Sequence, residues 1–353
     1  MKPKRVLIVR IGAMGDVLHA MPAVAALRVL HPDWFIGWAI EPRWSGLLPI
    51  VGDPNDVQQL GGRYYKKALV DRWYQVPASE WKRSPSARKT RLGITELGRV
   101  LRKEHFDICV DMQGSLKSAV VGRMAKAPVF AGPAAPREKI ARWLYSLPVE
   151  AKAAHVVEQG CELLGAAVGE TLTPTRVRLP MEDADQIWAR EAVGGERFCL
   201  ISAGGGWGAK MWPAERFGAV AAALGRAGVR SVVNASPSGS GGSPEAERVA
   251  AASEGFARVL PCTVGQLIPL IRQASLVIGG DTGPLHLAAV LEKPVVGIFG
   301  PTDPARNGPY GTRSRVLRDE SSTTSHKRLQ EPEAGMLRIG VEEVVAAALE
   351  MLG

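Results

Sequence analysis

Short apolar runs alternate with segments of helical period from one end of this chain to the other. Arg5 to Ile11, Trp34 to Ile40, Phe106 to Val110 and, more weakly, Val129 to Ala131 are runs of strand type. After the first of them Val17, Leu18, Met21, Val24, Ala25 and Leu27 recur at helical spacing, which predicts a helix packed by one face. Ser118 to Ala125 and His155 to Leu164 also read as helices, and Arg137 to Tyr145 as a basic amphipathic segment. Thr173 to Pro180 is extended and flanked by proline, which predicts a linker. Beyond it the alternation starts again. Strands are expected at Phe198 to Ser202, Ser231 to Asn234, Arg258 to Leu260, Leu276 to Ile278 and Pro294 to Phe299. Helices are expected at Asp183 to Arg190, Pro213 to Leu224, Glu245 to Ala252, Val264 to Gln273 and Val341 to Leu352. Strand–helix alternation twice over predicts the α/β class, with two parallel-sheet domains over residues 1–178 and 179–353 and a cleft between them.

Polar groups gather where the predicted strands end, and ligands bind at that edge of an open α/β sheet. The first strand meets Gly12-Ala13-Met14-Gly15-Asp16, which lacks the first glycine of the GxGxxG dinucleotide fingerprint. Asp16 is either an acid favoured at a helix start or a chemical group; a carboxylate there would repel a pyrophosphate on the same helix. The third apolar run ends in Asp111-Met112-Gln113-Gly114-Ser115-Leu116-Lys117-Ser118, where Lys117 either meets a substrate anion or caps the loop. Phe198 to Ser202 is followed by Ala203-Gly204-Gly205-Gly206-Trp207-Gly208-Ala209-Lys210, glycines for close approach to a phosphate and a lysine for its charge. Leu276 to Ile278 runs into Gly279-Gly280-Asp281-Thr282-Gly283-Pro284-Leu285-His286. The two glycines predict a tight turn, Asp281 or Thr282 an N-cap, and Pro284 the first helical turn, whose free N–H groups attract anions. Gly300-Pro301-Thr302-Asp303-Pro304 is a further polar turn at the next strand's end.

Composition narrows the class. With 353 residues, 46% hydrophobic and 22% charged, the chain has the make-up of a soluble globular protein with room for two cores. Cys109, Cys161, Cys199 and Cys262 are far apart and form no CxxC pair, which argues against a disulfide or structural zinc framework and for a reducing compartment. No run of about 18 apolar residues spans a membrane, and Arg10 and Asp16 interrupt what would be the apolar core of a signal peptide. The net charge of +9 is local: twelve Lys or Arg stand against three acids between Gly61 and Lys103. Tyr64, Tyr65, Trp73, Tyr74 and Trp81 interleave with them. Such a stretch is either a solvated basic loop or the face that meets an anionic partner, such as a phosphorylated lipid headgroup, a membrane surface or nucleic acid.

Five motifs in order now point one way. Met14-Gly15-Asp16-Val17-Leu18, Asp111-x-Gln113-Gly114-x-x-Lys117-Ser118, Lys210-x-Trp212-Pro213, Asp281-Thr282-Gly283-x-x-His286-Leu287 and Gly300-Pro301-Thr302-Asp303-Pro304 resemble the ADP-heptose:lipopolysaccharide heptosyltransferases of glycosyltransferase family 9. The resemblance implies a GT-B fold: two Rossmann-like domains facing across a cleft, acceptor on the first, nucleotide sugar on the second. The last helix is expected to pack back on the first domain. It implies an inverting transfer of heptose from ADP-L-glycero-β-D-manno-heptose to the lipopolysaccharide inner core, with no metal and no cofactor. Asp16 matches the catalytic base, Lys210 the lysine at the donor phosphates, and Asp281, Thr282, Gly283 and His286 the loop holding sugar and pyrophosphate. Glu245 matches the acid at the ribose hydroxyls, and Arg72 corresponds to a position in the acceptor segment. Lys117 with Arg88, Lys89 and Arg91 is expected to meet the phosphorylated acceptor. The implied location is cytoplasmic, peripheral on the inner face of the cytoplasmic membrane at an anionic surface, with no nucleic-acid partner. The chain departs from the pattern at Gly204-Gly205-Gly206, where relatives often carry hydroxyl or amide side chains, and in the length of the basic stretch. Asp183-Ala184-Asp185 forms a literal DxD, read as helix-start acids.

Other readings make different demands. An NAD-dependent dehydrogenase needs the missing glycine fingerprint. A GT-B nucleotide-sugar epimerase turns over donor without acceptor, and a heptosyltransferase acting on a protein differs in its acceptor. A nucleic-acid-binding module leaves the Asp16 and Asp281 loops without a task.

Overall fold

The structure is a computed structural model that describes residues 2–48, 58–60, 63–65, 68–237, 243–325, 327 and 329–353. Part of the basic stretch (Gly61, Gly62, Lys66 and Lys67) and most of the Ser/Gly loop before Glu245 lie outside the described residues. The chain divides into two compact units, 1–180 and 181–353.

The first unit runs β1 (Arg5–Val9), α1 (Met14–Leu30), β2 (Phe35–Ile40), β3 (Gln58–Leu60), β4 (Arg63–Tyr65), β5 (Arg72–Gln75), α2 (Ala78–Arg83), α3 (Arg88–Lys103), β6 (Ile108–Asp111), α4 (Leu116–Met124), β7 (Val129–Pro133), β8 (Leu147–Val149) and α5 (Val156–Val168). Its sheet is parallel throughout, in the order β5-β2-β1-β6-β7-β8, with β3 and β4 apart as an antiparallel pair. β1 and β6 are buried along nearly their whole length because helices cover both faces, which is why they read as unbroken apolar runs.

The second unit runs α6 (Asp183–Val193), β9 (Phe198–Ser202), α7 (Ala214–Arg226), β10 (Arg230–Ala235), α8 (Pro244–Ala251), β11 (Ala257–Pro261), α9 (Val264–Gln273), β12 (Leu276–Gly280), α10 (Gly283–Val290), β13 (Val295–Phe299), α11 (Pro304–Asn307), β14 (Ser314–Arg318), α12 (Ala334–Arg338) and α13 (Val341–Leu352). The same parallel order recurs as β11-β10-β9-β12-β13-β14. In each unit the chain works outward from a central strand in one direction and then in the other. The direction changes between β1 and β6 in the first sheet and between β9 and β12 in the second, and the crevice at such a switch is where these sheets bind ligands.

One sequence expectation is corrected. Gly279 and Gly280 are the last residues of β12 rather than a turn. A Cβ on Gly279 would come within 2.9 Å of the Ser202 carbonyl oxygen, so the glycine serves close approach to β9. Val344, Ala347, Ala348 and Met351 of α13 lie in the core of the second unit, against α7 and the strands β12 to β14. Among the described residues no helix is long and apolar enough to cross a membrane.

Candidate active site

At the switch of the second sheet, the loops after β9 and β12 bring Lys210, Asp281 and His286 together. Lys210 ends a short 3-10 turn, Gly208–Lys210, and its ammonium bonds Asp281 Oδ2. The other carboxylate oxygen of Asp281 lies 2.8 Å from His286 Nε2, one turn into α10. All three side chains are largely buried. Burial alone would raise the Asp281 carboxyl, but the hydrogen bonds and charges of His286 and Lys210 outweigh it and hold the group well below the usual carboxylate range. Lys210 Nζ also lies 4.3 Å from the centre of the Trp207 ring, a cation–π contact that fixes the ammonium from a second side.

The backbone supports this arrangement. Ala209 N donates to Leu329 O at 3.1 Å and Glu333 N to Ala209 O at 3.2 Å, so a strap from the chain's last quarter clasps the lysine loop. Gly208 permits that approach: a Cβ there would fall 1.5 Å from the Gln330 carbonyl oxygen. Gly204 and Gly206 border open space, which leaves room for a ligand beside their amides. Thr282 is the N-cap of α10 but makes no side-chain capping bond. Its Oγ1 and that of Thr302, in the loop after β13, are buried with no hydrogen-bond partner among the described residues. Gly283 begins the helix, with Pro284 in the first turn. Glu245 opens α8 beyond β10, 3.5 Å from Arg248, and makes no described bond to the trio.

This buried carboxylate makes the second unit acid-sensitive in a defined direction. Asp281→Asn is expected to cost about 3–5 kcal/mol near neutral pH, because it leaves Lys210 without its counter-charge. The gap to wild type is full above the carboxyl's unfolded pKa of about 3.9. It closes as the pH falls from there through the lower folded-state value. Urea melts of both proteins at descending pH check this; a gap that stays constant across that window contradicts it.

At the switch of the first sheet, Asp16 stands in the first turn of α1. Its Oδ2 accepts from Ala13 N at 3.1 Å, and its Oδ1 pairs with Arg10 Nη2 at 2.8 Å. The side chain is 44% exposed, so both readings of this acid hold geometrically: it stabilises the helix start and remains open to a substrate. Arg10 is the residue the sequence did not reveal. It breaks the apolar run at the end of β1, and that position was its only signal. Its guanidinium donates from Nε to the Asp16 carbonyl at 3.1 Å and from Nη1 to Met112 O, tying the two loops together. Gln113 Oε1 accepts from Ile11 N at 2.8 Å and from Gly12 N at 3.4 Å. Beneath them Asp111 is fully buried, and that burial raises its carboxyl against the bonds from Gln113 N, Tyr145, Ser118 and Gly114 N. Asp111 thereby locks the loop that positions Gln113.

The remaining expected residues make no described bond to either cluster. Lys117 is exposed at the start of α4. Arg72 lies on the edge strand β5, where it pairs with Glu104 at 2.8 Å. Arg88, Lys89 and Arg91 open α3, and Arg88 and Lys89 line a surface depression with Leu92, Gly93 and Glu96; Lys89 also pairs with Glu80 at 2.8 Å.

Two doubly wound units with polar loops at each switch are the architecture of GT-B glycosyltransferases, and solved structures agree. E. coli heptosyltransferase WaaC with ADP superposes with a TM-score of 0.75 at 24% identity, over 98% of this chain and 99% of that one. E. coli ADP-heptose lps heptosyltransferase II does so with a TM-score of 0.72 at 20% identity, over 99% and 98%. Among curated proteins, lipopolysaccharide heptosyltransferase 1 of Pseudomonas aeruginosa is 31% identical over 323 residues, which are 88% of this chain and 82% of that protein. Its namesake in E. coli K12 is 28% identical over 327 residues, 89% and 93% of the two. The model of glycosyltransferase family 9 (heptosyltransferase) matches residues 94–336, and the chain belongs to that family.

Proposed function

We propose that this glycosyltransferase moves heptose from ADP-L-glycero-β-D-manno-heptose to the inner core of lipopolysaccharide, on Kdo-lipid A or on a first heptose, by a single inverting displacement. The observation that carries the reading is the buried Lys210–Asp281–His286 cluster at the second sheet's switch point. Lys210 meets the donor's pyrophosphate and offsets the charge that grows as ADP leaves, together with the free N–H groups at the start of α10. Thr282 Oγ1 and the amide of Gly283 offer further donors to the same oxygens, and Asp281 and His286 orient the ammonium. Glu245 takes the ribose hydroxyls. On the first unit the Asp16 carboxylate accepts the proton of the acceptor hydroxyl as its oxygen attacks the anomeric carbon, and the bond from that carbon to the phosphate oxygen breaks. Arg10 holds the carboxylate in place. No step calls for a metal, so turnover survives EDTA.

The enzyme works in this reading on the cytoplasmic side, at a membrane that carries its acceptor. Arg72, Lys117 and the start of α3 meet the acceptor's phosphates. Reversing Arg88, Lys89 and Arg91 to Glu is expected to raise the acceptor KM about tenfold or more and to abolish binding to anionic vesicles, each charge being worth about 1 kcal/mol at such a surface. ADP affinity stays as it was. Equal KM and equal vesicle binding in the variant contradict this role for α3.

The function itself is tested by adding purified enzyme and ADP-heptose to the truncated glycolipid of a deletion strain and weighing the glycolipid by mass spectrometry. Gain of one heptose with release of ADP supports the reading. Consumption of ADP-heptose with no acceptor present, or no gain in mass, contradicts it.

A further inference from the structure

The 3-10 turn Lys139–Leu144 follows β7 and packs against α4, yet it turns its largest side chains outward. Trp143 is 85% exposed and Ile140 59%, while Ala141 is fully buried. Leu116 and Val120, one turn apart on α4, are exposed as well. A single apolar side chain at a surface is ordinary, but four large ones on two packed elements form a patch that calls for a partner. The exposed charges around it are basic but for one. Arg137, Lys139 and Arg142 are exposed on the turn and its approach, and Lys117 and Arg123 on α4. The acid among them, Glu138, accepts from Leu116 N at 3.2 Å, so it serves the start of α4. An indole and an isoleucine ringed by exposed arginine and lysine match a bilayer interface, apolar just below a layer of anionic phosphates.

We propose that this patch docks the protein on an anionic bilayer surface, with Trp143 and Ile140 entering the headgroup region and Arg137, Lys139 and Arg142 meeting lipid phosphates. The proposal rests on the reading that the acceptor is borne by a lipid, and it names the surface that meets the membrane. The two ends of the turn are tied to the end of β6 and to the loop that follows it. Glu138 N donates to Gly114 O at 3.0 Å, and Tyr145 Oη donates to Asp111 Oδ2 at 2.8 Å. That loop in turn holds the backbone after β1 through Gln113, so the patch is fixed to the sheet edge that carries Asp16. α4 also packs against α3, which joins the apolar patch to the basic helix. Docking there would bring that edge, with Asp16, to the bilayer and so to a hydroxyl on a membrane lipid.

The test is sedimentation of the full chain with phosphatidylcholine vesicles, with and without phosphatidylglycerol, for wild type and for Ile140→Ser/Trp143→Ser. Wild type is expected to sediment with the phosphatidylglycerol vesicles and not with phosphatidylcholine alone. The double variant should lose about tenfold or more in partitioning. It should keep its ADP affinity and its turnover on a water-soluble, delipidated acceptor, which shows that the fold and site are intact. Equal partitioning of wild type and double variant overturns the proposal, as does a wild type that ignores phosphatidylglycerol. So does a loss confined to the Arg88, Lys89 and Arg91 reversal. Vesicle binding that depends on Trp143 in a protein that transfers no heptose would support the docking surface while removing the proposed reaction.

Discussion

Asp16→Asn is expected to lower kcat by about 10²-fold or more while leaving the fold and ADP affinity in place. The substitution keeps the shape of the side chain, and an amide still accepts from Ala13 N, so the start of α1 survives. Two things are lost, the ion pair to Arg10 and the capacity to take a proton. The ion pair involves a side chain that is 44% exposed, so its loss costs little. A helix-start acid contributes about 0.3–1 kcal/mol of stability, whereas a general base contributes about 10²–10⁴ in rate. The two roles are therefore separated by measuring Tm and kcat on one protein. A small fall in Tm with a collapse in kcat identifies the base. A folded variant with near-normal turnover removes Asp16 from the mechanism and leaves it as a capping acid.

Lys210→Ala is expected to weaken ADP binding by about 1.5–3 kcal/mol, on the order of ten- to a hundredfold in Kd. The truncation removes the cation that meets the pyrophosphate, and it also leaves Asp281 as a buried carboxylate paired with His286 alone. That uncompensated charge repels the diphosphate, which pushes the effect toward the upper end. The double variant Lys210→Ala/Asp281→Asn should recover part of the affinity, because the repulsion disappears with the carboxylate. Titration calorimetry of wild type, both single variants and the double variant separates the two contributions. Unchanged ADP affinity in Lys210→Ala contradicts the donor assignment.

The central strands were legible in the sequence because they are buried on both sides. β1, β9, β12 and β13 pack helices on both faces and so appear as plain apolar runs. Of the edge strands, β11 was expected at Arg258 to Leu260, but β5 and β14 hid. β5 reads Arg-Trp-Tyr-Gln and β14 Ser-Arg-Val-Leu-Arg, because an edge strand exposes side chains to water and keeps charge there. α3 hid for a related reason. Only Thr90, Leu97, Gly98 and Leu101 of its residues are buried, so a stretch read for its charge is a helix carrying that charge on its outer side. At the sites, side chains with unusual chemistry at strand ends were legible, as Lys210, Asp281 and His286 were. Residues whose role is a contact across the fold were not. Arg10 registered only as a charge interrupting a would-be signal-peptide core, and Gln113 as one letter of a motif, because the loop each one ties down lies about a hundred residues away in the chain.

The central claim is a direct displacement by an acceptor hydroxyl that Asp16 deprotonates, and the configuration of the new glycosidic bond tests it most directly. Glycolipid heptosylated by the purified enzyme from the β-configured donor is to be analysed by NMR at the anomeric carbon of the added sugar. A single displacement inverts that centre, so the account predicts an α-linkage. A β-linkage, which requires two displacements or front-face attack, would contradict it.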